Sequence, residues 1–254
     1  MKQLIHMNSL RPIFYLLALL MGWPMVHSLS ADDRADAAIE RARAWLGAEE
    51  VLNEVQSVHY SGEIRTSGGD VGSVDIVFMK PNFQLIVAEV NNVRQTTALS
   101  GYDAWEKVED MNNEDDWQLT LLEAGQIQRL QANAWEALYF YRVGRQKKVA
   151  VSDEGEAEIE GVVCDKVSFR HNKTIRFVRY FEVETGRLVL TETELGGQIR
   201  EEGELWSGGI RFPKRLVTRV GENSSTIEFE VIEVNESFDE EIFDVPMFLP
   251  ASGS

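Results

Sequence analysis

Residues 71–105 read VGSVDIVFMKPNFQLIVAEVNNVRQTTALSGYDAW, and the architecture turns on this stretch. Residues 71–79, 83–90 and 93–99 are runs of strand length rich in Val, Ile, Phe and Thr, too short for the helices of a packed domain. Lys80-Pro81-Asn82 ends the first run, because proline cannot donate to a ladder and pushes its predecessor to extended geometry. Asn91-Asn92 links the next two runs, and Gly101-Tyr102-Asp103 makes a turn before a further strand at Trp105-Glu106-Lys107-Val108. Connections of two or three residues join antiparallel neighbours. The stretch therefore predicts a meander.

Moving toward the N-terminus, Val58, Tyr60, Gly62, Ile64 and Thr66 alternate with polar residues up to the hairpin signal Ser67-Gly68-Gly69-Asp70. Before them, residues 33–53 predict one amphipathic helix with Ala37, Ala38, Ala42, Trp45, Leu46 and Leu52 on its apolar face and Gly47 weakening its middle. Toward the C-terminus, residues 109–116 predict an acidic loop, followed by a helix whose stripe is Ile127, Leu130, Ala134, Leu138 and Tyr141. Aromatics crowd the end of that helix, so it is either sandwiched between layers or covers a cavity. Further strands are expected at 147–151, 159–170, 174–182, 188–195, 198–206, 214–220 and 226–235, with turns at Asp153-Glu154-Gly155, His171-Asn172-Lys173, Glu184-Thr185-Gly186, Gly196-Gly197, Ser207-Gly208-Gly209 and Gly221-Glu222-Asn223. Turns every ~8–12 residues mark an up-and-down antiparallel sheet or barrel. The expected class is α+β: a strongly curved antiparallel sheet, a half-open barrel, with the N-terminal and central helices over its concave face.

The first 30 residues differ. Lys2 and Arg11 are their only charges, and an apolar block runs from Pro12 to Trp23. A bilayer-spanning helix needs ~20 apolar residues, so this block suits a signal peptide better than an anchor. Residues 1–30 are read as the signal and 31–254 as one domain, with cleavage between Ser28 and Ala31, no stable membrane insertion afterwards, and a periplasmic or secreted destination. No cysteine follows the apolar block, which excludes acylation as a bacterial lipoprotein.

Composition narrows the function. The formal net charge is −17 and becomes −19 once Lys2 and Arg11 are gone, which excludes a nucleic-acid backbone binder. That acidity also opposes adsorption to anionic membranes, so delivery to a membrane would go through a protein receptor. The single Cys164, read as a buried strand residue, excludes an intramolecular disulfide framework and a Cys-rich zinc site. Only His59 and His171 remain after the signal, neither with a partner at triad or metal spacing, and both are read as structural or solvated. The cluster Glu109, Asp110, Glu114, Asp115 and Asp116 lacks the EF-hand glycine and is read as a solvated loop. No catalytic residue, metal site or cofactor is expected. The positive feature is apolar: the dry face of the sheet either fills with side chains or encloses a lipid-sized cavity, and composition leaves both open.

Several motifs occur in a familiar order: Val55-Gln56-Ser57-Val58-His59-Tyr60-Ser61-Gly62, Val77-Phe78-Met79-Lys80-Pro81-Asn82, Leu99-Ser100-Gly101-Tyr102-Asp103-Ala104-Trp105, Tyr180 to Leu188 with Glu184-Thr185-Gly186, Gly209-Ile210-Arg211-Phe212-Pro213, and the tail from Val234 to Pro246. In this order the chain resembles the LolA-like superfamily of outer-membrane lipoprotein-sorting proteins, which includes LolB-like and LppX-like members. The resemblance implies a half-open antiparallel sheet with helices as a lid over an apolar cavity, and, for the sorting members, carriage of acylated lipoproteins through the periplasm. It also makes Lys80 the lid-coupling candidate, since the family's basic residue before the proline is tied to lid closure. The carriers have arginine there, and lysine cannot reproduce its planar fork.

Two functions follow as expectations. In the first, a non-enzymatic exported protein binds a lipid or lipidated protein, with Phe78, Phe83, Trp105, Trp135, Leu138, Phe140, Phe177, Trp206 and Phe212 as wall or lid. In the second, an envelope scaffold or accessory protein has a filled core and docks a protein partner. A hydrolase ranks last, since no pair of titratable groups suggests itself.

Overall fold

The computed structural model describes residues 31–246 except 114, 144–146 and 148, so the expected signal peptide and the residues after 246 lie outside the described part. Helices α1 (Ala31–Leu46) and α2 (Glu49–Glu54) precede strands β1 (Ser57–Thr66), β2 (Val71–Met79), β3 (Phe83–Val90), β4 (Val93–Ser100), β5 (Asp103–Asp110) and β6 (Trp117–Leu121). Helix α3 (Ala124–Tyr139) leads to β7 (Ala150–Ile159), β8 (Val162–Arg170), β9 (Arg176–Glu182), β10 (Leu188–Thr193), β11 (Gln198–Glu202), β12 (Leu205–Ser207), β13 (Ile210–Phe212), β14 (Arg215–Val220) and β15 (Asn223–Val234). A 3-10 turn, Glu240–Phe243, closes the described chain.

Among the described residues, thirteen strands form one open antiparallel sheet in the order β6-β5-β4-β3-β2-β1-β15-β14-β11-β10-β9-β8-β7. Two meanders thus meet at the β1–β15 pair, where Val58 faces Val234 and a bulge follows Ser61. Gly62 sits at that bulge because a Cβ there would lie 2.1 Å from the Glu228 carbonyl oxygen. Strands β12 and β13 form a separate two-stranded ribbon whose turn, Gly208-Gly209, has positive φ at both residues.

The helices share one face of the sheet, the inner face. Helix α1 lies on β7, β8 and β13, and α3 crosses β1 to β4. Ala35, Ala38, Ile39 and Ala42 form the buried stripe of α1 at 3- and 4-residue spacing, so the face is rotated from the expected one and Ala37 falls beside it. The single expected helix is two, because Gly47 leaves the helix and bridges Ile210 of the ribbon; a side chain there would lie 2.8 Å from the Gly209 oxygen.

Inner-face residues of both meanders pack under these helices. Val58, Val74, Ile76, Phe229 and Ile232 group with Leu138, Phe140 and Phe212 on one side, and Val167, Phe169, Phe177, Phe181 and Leu188 group with α1 on the other. The outer face is also partly covered. Phe243 of the C-terminal turn is fully buried against Val77 and Phe83.

Several local expectations change. Strand β6 forms where helix was expected to begin, and it is an edge strand with little burial. Asp153-Glu154-Gly155 is a bulge inside β7 rather than a turn, the turn falling at Glu160-Gly161, where both φ values are positive. The expected strand 198–206 divides into β11 and β12. Cys164 is a buried strand residue, as expected.

Candidate ligand-binding cavity

The inner face is not filled. A cavity of about 290 Å³ remains between α3 and the sheet, near the lower end of the ~300–1,000 Å³ usual for ligand sites. Its walls are mostly apolar: Tyr60, Ile76 and Phe78 from β1 and β2, Leu216 and Phe229 from β14 and β15, and Phe212 from the ribbon. A second hollow of about 330 Å³ adjoins it and shares Leu46, Tyr141, Leu188, Glu201, Arg211 and Phe212. A larger open groove, about 690 Å³, lies at the β4–β6 end of the sheet, but Glu109, Asp110, Asp116 and Gln118 make it polar and solvated.

The end of α3 closes the cavity with two residues in an uncommon conformation. Phe140 and Tyr141 have φ of 45° and 70°, a left-handed pair without glycine. Such residues cost on the order of 1–3 kcal/mol each unless the surroundings over-determine them. Here both rings point inward, Phe140 to Phe212 at 6.3 Å and Tyr141 to Phe181 at 4.9 Å. Arg43 of α1 holds the turn. Its guanidinium, 2% exposed, donates to the carbonyl oxygens of Tyr139 (2.9 Å) and Phe140 (2.8 Å), to Asn53 Oδ1 (3.0 Å) and to Glu49 Oε2 (2.8 Å). The bond from Arg43 and the charges around it hold the Glu49 carboxyl below its ordinary value, against its slight burial.

Lys80 reaches the same corner from the sheet, its Nζ 4.9 Å from the Tyr139 ring centroid. Burial, together with the cations Lys147 and Arg43, pushes its pKa down. Contact with the end of α3 is therefore made by Lys80, but the hydrogen bonds to that end come from Arg43.

Of the nine aromatic and apolar residues expected as wall or lid, Phe78, Phe140, Phe177 and Phe212 line the cavity. Leu138 is fully buried under α3 and belongs to the solid part of the core. Trp135 turns aside, donating from Nε1 to Asn82 Oδ1 at 2.5 Å and stacking on His171. Phe83 and Trp105 lie on the outer face, which corrects their placement. Phe83 packs on Phe243 at 5.1 Å, and Trp105 Nε1 donates to the Phe243 carbonyl at 2.9 Å. Trp206 is 60% exposed on the ribbon and flanks Arg211, whose other side stacks on Trp45 at 3.7 Å.

Charged residues enter the cavity wall where only apolar ones were expected. Glu136 of α3, buried, takes hydrogen bonds from Arg179 Nη1 of β9 and pairs with His171 Nε2 at 2.5 Å. Burial raises the Glu136 pKa, but Arg179 and His171 more than offset this and hold it below the ordinary value. Arg179 likewise keeps its charge against burial because Glu136 is beside it. Glu201 of β11 stands at the junction of the two hollows, and burial raises its carboxyl to about 7 although Arg179 pulls it down. Burial also raises the phenols of Tyr60 and Tyr141.

His59 is on the outer face and is not partnerless. Its Nδ1 meets Glu236 Oε2 at 2.8 Å and its Nε2 meets Asp75 Oδ2 at 3.0 Å, and these carboxylates raise its pKa against burial. With Glu233 and Glu236 it is a group that could hold a metal ion, ligand atoms lying within 4.8 Å of one another. His171 is in the expected turn, yet its ring is buried, with Nε2 against the Glu136 carboxyl.

Comparison with known proteins gives the architecture a relation. Neither a family model nor a curated protein sequence matches the chain. Three solved structures superimpose over 83% of this chain and 97% of their own. A LolA superfamily protein from Nitrosomonas europaea has a TM-score of 0.54 at 13% identity. A domain from Vibrio parahaemolyticus named for outer membrane lipoprotein sorting has 0.52 at 7%. A DUF1329 family protein from Desulfovibrio piger has 0.51 at 10%. The chain has the LolA-like fold. At these identities the likeness concerns architecture alone.

Proposed function

We propose that this is an exported, non-enzymatic protein that binds an acyl chain, of a lipid or a lipidated protein, in the cavity of its LolA-like fold. The observation that carries the reading is the unfilled space of about 290 Å³ walled by Tyr60, Ile76, Phe78, Phe140, Phe212 and Phe229. Removing an acyl chain from water contributes about 0.8 kcal/mol per methylene, so an apolar wall suffices and no catalytic group is required. A scaffold with a solid core would not keep such a space, since protein interiors pack to crystal density. Among the described residues no helix is long and apolar enough to cross a membrane. In this reading residues 1–30 direct export and are removed between Ser28 and Ala31, and residues 31–254 work as one domain whose partner is the lipid or its protein bearer.

The test is to purify the processed protein from the periplasm of an expressing bacterium, extract it with organic solvent and analyse the extract by mass spectrometry, beside an Ile76→Trp variant that fills the cavity. Acyl lipid at near one equivalent, reduced at least fivefold in the variant, is the expected result. Absence of lipid together with failure to displace a fluorescent apolar probe would sink the reading. N-terminal sequencing of the same sample checks the processing site.

A further inference from the structure

The apolar cavity has a polar end. Arg179 is 8% exposed, and among the described residues its one hydrogen bond runs from Nη1 to Glu136. The rings of Tyr141 and Phe169, each 4.9 Å away, and of Phe177 flank its guanidinium. Its Nε is buried without a hydrogen-bond partner among the described residues and is closed off from the cavity, so the guanidinium meets an occupant of the cavity only through its terminal nitrogens. Glu201 projects from the same inner face. Arg179 is paired across the ladder with Thr191, Thr191 with Ile199, and Glu201 is two residues further along the strand. No side chain among the described residues hydrogen-bonds the Glu201 carboxyl, and no ion pair joins it to Arg179, so a gap separates the two groups. Both line the cavity, and Glu201 also lines the adjoining hollow.

We propose that the cavity takes apolar chains ending in an uncharged group that both donates and accepts hydrogen bonds, a hydroxyl or an amide, and seats this head between Arg179 and Glu201. The proposal rests on the acyl-binding reading and specifies the ligand class of that site. An acceptor atom on the head takes a hydrogen bond from the terminal edge of the Arg179 guanidinium, which borders the cavity, and its O–H or N–H donates to the Glu201 carboxylate. The chain then runs along Tyr60, Ile76, Phe78, Leu216 and Phe229. A carboxylate head suits the site less well. The charge of Arg179 is already balanced by Glu136, and an ionised Glu201 repels a second anion. An ammonium head suits it less well too, because Arg179 and Arg211 both face the space and neither donates usefully to a cation. Burial raises the Glu201 pKa, and Arg179, not in contact with it, offsets only part of that rise.

The test uses the processed full-length protein at pH 8, where Glu201 is mostly ionised, and four ligands of one chain length: decanol, decanamide, decanoate and decylamine. Each displaces a fluorescent apolar probe, giving relative affinities. Decanol and decanamide are expected to bind about tenfold or more tighter than decanoate and decylamine, the equivalent of one hydrogen bond. In Glu201→Leu, which removes an unpartnered carboxyl, the order is expected to change so that decanoate gains at least tenfold. Circular dichroism checks that the variant is folded, and the wild-type order alone decides the matter if it is not. Equal binding of all four, or tightest binding of decanoate or decylamine by the wild-type protein, overturns this inference while leaving acyl binding standing. Failure of all four and of the probe overturns both.

Discussion

Replacing Arg43 by methionine tests how the cavity is held closed. The change keeps most of the stem volume and removes the guanidinium, which is 2% exposed and joins α1 to the last turn of α3. Two carbonyl oxygens, of Tyr139 and Phe140, lose their donor, and Asn53 Oδ1 loses a third bond. Leaving a buried acceptor unpaired costs about 1–3 kcal/mol, while the Glu49 contact adds little because Glu49 is 39% exposed on its side chain. The expected loss is therefore about 3–5 kcal/mol, most of it from the two carbonyl oxygens left without a donor. For a domain of this size that is a fall in Tm of about 6–20 °C. Urea unfolding followed by circular dichroism and tryptophan fluorescence measures it. Arg43→Lys is the control: a point charge reaches one carbonyl rather than two, so about half the loss is expected. Hydrogen exchange should quicken first in residues 132–141, where the left-handed pair Phe140 and Tyr141 loses its anchor. A loss under about 1 kcal/mol for Arg43→Met, or full replacement by lysine, would refute the reasoning.

Other expectations follow from single groups. Gln84 is fully buried with neither amide atom hydrogen-bonded, so Gln84→Met should stabilise the protein by about 1–2 kcal/mol in urea unfolding; destabilisation would show that the amide is satisfied by water. Because Glu201 titrates near 7 in the folded chain against 4.5 unfolded, its contribution to stability is greatest below pH 4.5 and is lost as pH rises to 7. Above pH 7 the penalty is about 1–3 kcal/mol, the upper figure being the full shift and the lower allowing for water in the cavity. Glu201→Gln should flatten this part of the profile, and an unchanged slope in pH-dependent unfolding counts against the shift. Gly186 has φ of +79°, and a Cβ there would lie 2.4 Å from the backbone of Arg41; Gly186→Ala should cost over about 2 kcal/mol and loosen α1 from the β9–β10 turn.

How much of this was legible in the sequence differs by element. Strands β2 and β3 have the bounds expected of them because their turns declare themselves: Lys80-Pro81-Asn82 cannot extend a ladder, and Asn91 and Asn92 adopt φ of 52° and 62°, which asparagine tolerates. Strand β6 was missed for the opposite reason. An edge strand needs only one neighbour, and Trp117 to Leu121 is mostly exposed, so no apolar period marks it. The Asp153-Glu154-Gly155 bulge and the Glu160-Gly161 turn both place a left-handed glycine after acidic residues, and local composition does not tell them apart.

Composition leaves a filled core and a cavity both open, and the expected wall mixes residues from the two faces of the sheet. Assigning aromatics to the wall assumed one dry face, but Phe78 is paired with Gln84, which puts Phe83 on the other side of the same strand. Residue 83 stays buried there because the C-terminal turn brings Phe243 back over the outer face, more than a hundred residues later in the chain. Such a contact leaves no trace in periodicity. The charged wall is hidden similarly. Arg179 interrupts the run Phe177-Val178-Arg179-Tyr180-Phe181, and a cation at an inner position of so apolar a strand was the one available signal of a buried partner. Its partner Glu136 lies on a helix read only for its greasy stripe. The consequence is mechanical as well as chemical. Helix α3 is held to the sheet and its turns by Glu136–Arg179, Arg129–Glu194, Trp135–Asn82 and Gln131–Gly101, and to α1 by Arg43, while Lys80 lies against the Tyr139 ring. Widening the cavity for a longer chain therefore requires α3 to leave two buried cations, and occupation of the site by a head that bonds Arg179 lowers the cost of releasing Glu136.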